Sequence, residues 1–212
     1  MAKPEKFWDF LAKNFDQGEG NPAEREDINI TKKYLQPSDV VLDYACGTGT
    51  LSIEIADLVK EIHAVDISSK MLAAAERKAN ERKIENIRYE HTTIFDERYP
   101  KESFDVVMAF NILHLLEDAQ QAVQRINEIL KPGGYFISST PSLLEKKTFV
   151  NHLLSPLFIV PSKLGIIPYV RLFKISELES LFVYGNFQLV ETKKFVAGLT
   201  DYFIVARKIN TP

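Results

Sequence analysis

One run of residues constrains this chain more than any other: Val40-Val41-Leu42-Asp43-Tyr44-Ala45-Cys46-Gly47-Thr48-Gly49-Thr50. The apolar part reads as a strand ending in a carboxylate, Gly47 and Gly49 as a tight turn, and Leu51 as the opening of a helix. The first amides of such a helix have no partner within it, so strand, turn and helix together make a cradle that backbone can bring close to a ligand. A second apolar run, Glu61-Ile62-His63-Ala64-Val65, ends on Asp66. Its separation from the glycine turn is that of a carboxylate placed to hold a ribose diol. Two strand-end carboxylates around one glycine turn point to a cofactor pocket in an α/β protein.

The rest of the chain repeats this alternation. Continuous or period-two apolar runs predict strands over 40–44, 61–66, 87–91, 104–110, 134–139, 187–195 and 202–207. Helical periodicity falls over 51–59, 68–82 and 118–130, with Ser68 or Ser69 as a cap and Leu72, Ala75 and Ala79 on one face. Lys131-Pro132-Gly133-Gly134 ends the third of these helices, because proline cannot continue it and glycine supplies a turn. Five βα units in succession make a doubly wound fold. The segment 196–201 is too short for a crossover helix, so the last two strands pair antiparallel.

At 212 residues and 45% hydrophobic content the chain supports one sizeable core, read as a single domain over 1–212. Twenty-six basic against 29 acidic side chains, scattered rather than clustered, give no basic footprint for nucleic acid. The lone Cys46 excludes an internal disulfide, and His63, His91, His114 and His152 lack metal-ligand spacing with it, so no metal is expected. The charged N-terminus lacks the apolar stretch of a signal peptide, which predicts a cytoplasmic protein without a transmembrane segment.

Taken together, Leu42-Asp43-Tyr44-Ala45-Cys46-Gly47-Thr48-Gly49, Val65-Asp66-Ile67-Ser68, Phe104-Asp105-Val106-Val107, Asn111-Ile112-Leu113-His114 and Leu130-Lys131-Pro132-Gly133-Gly134 resemble the class I S-adenosylmethionine-dependent methyltransferases. The resemblance runs from Ile30 to Lys208. It implies a Rossmann-like, seven-stranded sheet, mostly parallel with a C-terminal antiparallel hairpin, helices on both faces, and S-adenosylmethionine as cofactor. Asp66 is then the ribose ligand or, structurally, a cap for the following helix. Asp43 orients the turn or helps hold the methionine ammonium. Gly47 and Gly49 meet the cofactor through backbone. Ile67 and Met71 cover adenine or belong to the core, and Thr93 and Ile94 lie where adenine-edge contacts fall, with Asp96 as a substitute acid. Ala45 stands where the family more often has glycine, which costs nothing if its backbone angle is ordinary.

Asn111 and His114 follow the fourth strand and face the carboxyl-end crevice. Asn111 is a candidate for cofactor and catalytic contact. His114 is a candidate base or substrate contact, with a hydrogen-bonded surface histidine as the alternative. His63 and His91 read as structural. The N-terminal cap over 1–36 carries an aromatic stripe around Trp8 that suits closure over a cofactor or plain packing. The insertion over 141–175 reads as an apolar helical lid too broken by Pro156, Pro161 and Pro168 to span a membrane. It suits an apolar or amphipathic small-molecule acceptor or a membrane surface, and equally an ordinary cap or a dimer contact. Two other functions fit parts of the pattern: a cofactor-binding regulatory protein without turnover, and a nicotinamide-dependent oxidoreductase, whose third glycine is here Ser52.

Overall fold

A computed structural model describes residues 4–16, 22–142, 162, 167–197 and 199–209. Helices α1 (Pro4–Leu11) and α2 (Pro22–Thr31) precede the sheet. There follow β1 (Val40–Tyr44), α3 (Thr50–Ile55), β2 (Glu61–Asp66), α4 (Ser69–Glu81), β3 (Ile87–His91), β4 (Phe104–Phe110), α5 (Ala119–Ile129) and β5 (Leu130–Pro141). The chain closes with α6 (Ile175–Tyr184), β6 (Phe187–Ala197) and β7 (Leu199–Lys208). The sheet has seven strands in the order β3-β2-β1-β4-β5-β7-β6. β1 to β5 pair in parallel, whereas β7 runs antiparallel to β5 and β6.

The period of a strand puts alternate side chains on opposite faces, and both faces here are covered. Leu42, Tyr44, Val107 and Ala109 point to the layer containing α5 and α6, where Phe136 and Phe182 stack 4.6 Å apart. Val41, Ala64, Val106 and Met108 point to the layer containing α2 and α3. Strand order reverses direction at β1, between β2 and β4, so the carboxyl ends of these strands open the crevice in which ligands of doubly wound folds sit.

Three local expectations need correction. The chain does not make five βα units: among the described residues no helix joins β3 to β4, and 92–103 runs as turns. The helix after the glycine turn is short, ending at Ile55 and tightening into a 3-10 turn over Ala56–Leu58. Helix α5 stops at Ile129, and β5 begins at once, so Lys131 to Gly134 is an excursion within the strand. Phe104 pairs with Leu130 and Val106 with Tyr135, and Gly133 takes a φ of 76° to allow it. Of the predicted lid, 143–161 and 163–166 lie outside the described residues. No helix among those described is long and apolar enough to cross a membrane.

Gly49 shows why the turn needs glycine. Its φ is 74°, and a Cβ placed there would lie 2.8 Å from Ala75 Cβ on α4. Gly49→Ala is therefore expected to lower stability by about 2 kcal/mol or more, the left-handed penalty plus the displaced helix contact. Urea denaturation checks this, and an unchanged midpoint would contradict it.

Candidate active site

The ends of β1 and β2 are held together through the Asp66 carboxylate. Its Oδ2 accepts the Gly47 amide at 2.9 Å and its Oδ1 accepts the Ser68 amide at 2.8 Å. Ser68 itself caps α4, its hydroxyl accepting the Met71 amide at 3.2 Å. Asp66 is thus not the cap of α4. Each of its oxygens retains accepting capacity, and the side chain lines two overlapping cavities of about 340 and 350 Å³. The first is bounded by Tyr44, Ala45, Ile67, Thr93 and Ile112, the second by Gly47, Met71, Phe15, Asn111 and His114.

Other site candidates fall elsewhere. Asp43 is buried behind the turn, where its Oδ2 accepts the Ser52 hydroxyl at 2.6 Å, and it lines neither cavity. Gly49 serves helix packing, and neither cavity reaches it. The Ile94 side chain is fully buried in the core, and its carbonyl accepts Arg125 Nε at 3.1 Å. Asp96 is occupied by Arg98 and by the Thr92 hydroxyl at 2.8 Å, which together hold its carboxyl well below the usual range. Ala45 does not have an ordinary backbone angle: its φ is 61°, so the departure from glycine carries a left-handed cost of about 1 kcal/mol. Asn111 has a φ of 55°, a region that asparagine tolerates, and its amide is bonded to the Ser139 carbonyl at 2.8 Å.

His114 departs from a satisfied surface histidine. Its Nδ1 is buried without a partner, and burial pushes its pKa down to about 4, leaving a neutral ring with a free lone pair or N–H. His63 is structural as expected, set between Glu90 at 3.2 Å and the edge of Phe104. His91 bonds the Ile67 carbonyl at 2.8 Å. Cys46 lies against the α3 layer, and burial raises its thiol, so it is not a thiolate nucleophile.

The N-terminal segment roofs this crevice through contacts that its sequence barely signals. Asp9 on α1 accepts the Ser68 hydroxyl at 2.6 Å and the Lys70 amide at 3.2 Å, a carboxylate set on the first turn of α4. Asp16 accepts the Thr48 hydroxyl at 2.7 Å and Lys78 Nζ at 3.0 Å. The seven-residue spacing of Asp9 and Asp16 was the only available hint. Trp8 consequently lines both cavities.

The electrostatics define what the crevice accepts. Burial raises both Asp66 and Asp43, the latter to about 6, and Asp66 adds to the shift of Asp43. No lysine or arginine lines either cavity among the described residues. A site with buried acids and no cation of its own fits a positively charged ligand such as a sulfonium, and a carboxylate with spare acceptors at a strand end fits a diol.

Residues 35–161 match the methyltransferase-domain family. A methyltransferase of Bacillus subtilis, YcgJ, is 29% identical over 168 residues, 76% of this chain and 62% of YcgJ, so the match spans less than two thirds of that relative's length. A ubiquinone biosynthesis O-methyltransferase of Albidiferax ferrireducens is 28% identical over 82% of this chain and 69% of its own. The crystal structure of the Bacillus YcgJ superposes with a TM-score of 0.73 at 18% identity, covering 88% of this chain and all of that one. The [4+2]-cyclase SpnF superposes at 0.78 with 14% identity over 97% and 94% of the two chains, so the shared fold does not by itself fix the reaction. The chain belongs to the methyltransferase-domain family, the class I S-adenosylmethionine-dependent methyltransferases.

Asp66→Ala is expected to weaken binding of S-adenosylhomocysteine by about 1.5 to 3 kcal/mol, the worth of hydrogen bonds to a charged group. Calorimetric titration checks it, and an unchanged dissociation constant removes Asp66 from the ligand's contacts. The raised acids add a pH signature. In the folded, ligand-free protein Asp43 holds its proton up to about pH 6, so the stability it confers falls as pH rises from the unfolded value near 4 through 6. Asp43→Asn should therefore remove this fall in stability between pH 5 and 7, and urea midpoints that change equally with pH in both proteins would contradict it.

Proposed function

We propose that this chain transfers a methyl group from S-adenosylmethionine to a small apolar or amphipathic acceptor. One observation carries the reading. A third cavity of about 330 Å³, walled by Phe7, Trp8, Leu11, Pro141 and Leu172, meets the cofactor crevice at His114 and Leu115. An apolar chamber that shares Trp8, His114, Leu115 and Pro141 with a cation-accepting crevice supports two ligands brought together, not a single ligand held for sensing. The ubiquinone biosynthesis O-methyltransferase, whose name implies an acceptor of apolar character, is consistent with it.

When bound, the cofactor supplies an electrophilic methyl group on a good leaving group. This chain's residues then have modest tasks. Asp66 would hold the ribose hydroxyls, Ile67 and Met71 would cover the adenine with Thr93 near its edge, and backbone at Gly47 and Asn111 would hold the methionine end. Trp8, Leu115 and the apolar walls would exclude water and orient the acceptor. His114 accepts the acceptor's hydrogen bond. With so low a basicity it suits an acceptor that releases its proton late in the transfer. We read one domain over 1–212, with 1–36 as its cap and 141–175 as an insertion, of whose described residues Pro141, Ile167, Pro168, Val170, Arg171 and Leu172 line the apolar chamber.

Methyl transfer from labelled S-adenosylmethionine to a panel of apolar phenols, amines and thiols tests the reading. Binding of cofactor with no transfer to any of them would favour a regulatory protein, and binding of NADH alone would favour the oxidoreductase. His114→Ala should lower turnover roughly 10²-fold or more, as for loss of a positioned proton acceptor, while leaving cofactor affinity unchanged. In the wild type, turnover should persist down to about pH 5 and fall only as pH drops through the imidazole's value of about 4. A decline already centred near pH 6.5 would show that His114 is not the group responsible.

A further inference from the structure

Beside the cofactor crevice, at the ends of β4 and β5, lies a separate recess of about 60 Å³. Asp27 and Glu24 of α2, Asp201 of β7, Asn111 and Ser139 line it. Asp27 is only 4% exposed and its Oδ1 has no hydrogen-bond partner, although the Ser139 hydroxyl serves the carboxyl. An ionised oxygen buried in this way is costly unless something positive meets it. No lysine or arginine lines the recess among the described residues. Burial and the charges of Asp201, Glu24 and Glu26 push Asp27 up to about 7, and burial raises Glu24 and Asp201 as well. The nearby Lys193 is paired with Glu26, and Lys78 with Asp16.

We propose that this recess is an ammonium-binding subsite in which Asp27 is the anionic anchor. Its volume is ample for an ammonium head, since about 10–15 Å³ of such space already holds one water molecule. An ammonium offers three donors to Asp27 Oδ1, the Asp201 carboxylate and the Asn111 or Ser139 oxygens. The three acids are not arranged as metal ligands: no metal-holding group of histidine, cysteine or acidic side chains exists among the described residues. The recess shares Phe110 and Asn111 with the larger crevice, so a ligand whose body lies in the crevice can place its head here. That head belongs either to the methionine end of the cofactor or to an amine on the acceptor. The inference rests on the cofactor reading only for the first of these sources.

Calorimetric titration of the full chain and of Asp27→Asn tests it with paired probes. S-adenosylhomocysteine carries the ammonium and 5′-methylthioadenosine lacks it; hexylammonium and hexanol form the same contrast for an acceptor. If the cofactor fills the recess, Asp27→Asn loses at least about tenfold in affinity for S-adenosylhomocysteine and nothing for methylthioadenosine, as for removal of one partner of a buried charge pair. If the acceptor fills it, the same loss falls on hexylammonium binding to the homocysteine-loaded protein and spares hexanol. Either ammonium should also release a proton from Asp27 on binding at pH 7, seen as different heats in phosphate and Tris. Affinities of both ammonium probes within twofold of wild type overturn the proposal and leave the recess to water. If neither adenosine compound binds the wild type, the cofactor reading fails by itself. Hexylammonium with the ligand-free protein then decides the recess by the same tenfold criterion. Asp201→Asn repeats the measurement should Asp27→Asn not fold.

Discussion

The Asp66 carboxylate accepts the Gly47 amide with one oxygen and the Ser68 amide with the other, and the geometry of the ligand end depends on this pair of bonds. They tie the glycine turn after β1 to the start of α4 after β2, two segments that are distant in sequence. Buried amides must be paired, and no other carboxylate accepts from these two. The same residue that fixes the wall of the crevice also supplies its acceptor face. One side chain therefore both ties the turn to α4 and faces the crevice.

The second dependence is on the N-terminal cap. Helix α1 buries none of its own residues fully, so packing alone does not hold it over the crevice. Asp9 on the first turn of α4 and Asp16 on Thr48 and Lys78 do so instead, through a charge placed at a helix start and an ion pair over the turn. Such polar latches are exchangeable with water, whereas an apolar interface is not. The roof carries Trp8 and Phe15 onto the crevice and Phe7 and Leu11 onto the apolar chamber. One segment thus walls both cavities.

Charge gives the two sites a common logic. Asp66 and Asp27 are both raised by burial, and the cavities they line contain no lysine or arginine among the described residues. The protein stores unfavourable negative charge at the carboxyl end of its sheet, and a cationic ligand relieves it. This fits a family whose cofactor carries a sulfonium and an ammonium. It also separates the crevice from the apolar chamber, which no acid lines among the described residues and whose one cation, Arg171, lies 4.5 Å over the ring of Phe173.

Much of this was written in the sequence. Strands β1, β2, β3 and β4 begin and end where apolar runs do, and the Ser68 cap marks α4, because caps and strand periodicity are local. Asp66 and Gly47 were legible for the same reason, as residues fixed by a strand end and a turn. Tertiary structure decided what local pattern cannot encode. It set Ala45 in a left-handed conformation, sank the Ile94 side chain into the core, gave Gly49 to α4, and left His114 and Asp27 without partners for a buried atom. Each of these depends on which distant element packs against the residue. The sequence by itself determined the sheet, the glycine cradle and the membership of the family; the folded chain decided which side chains face the crevice and in what charge state, since burial and distant partners exist only once the layers have closed.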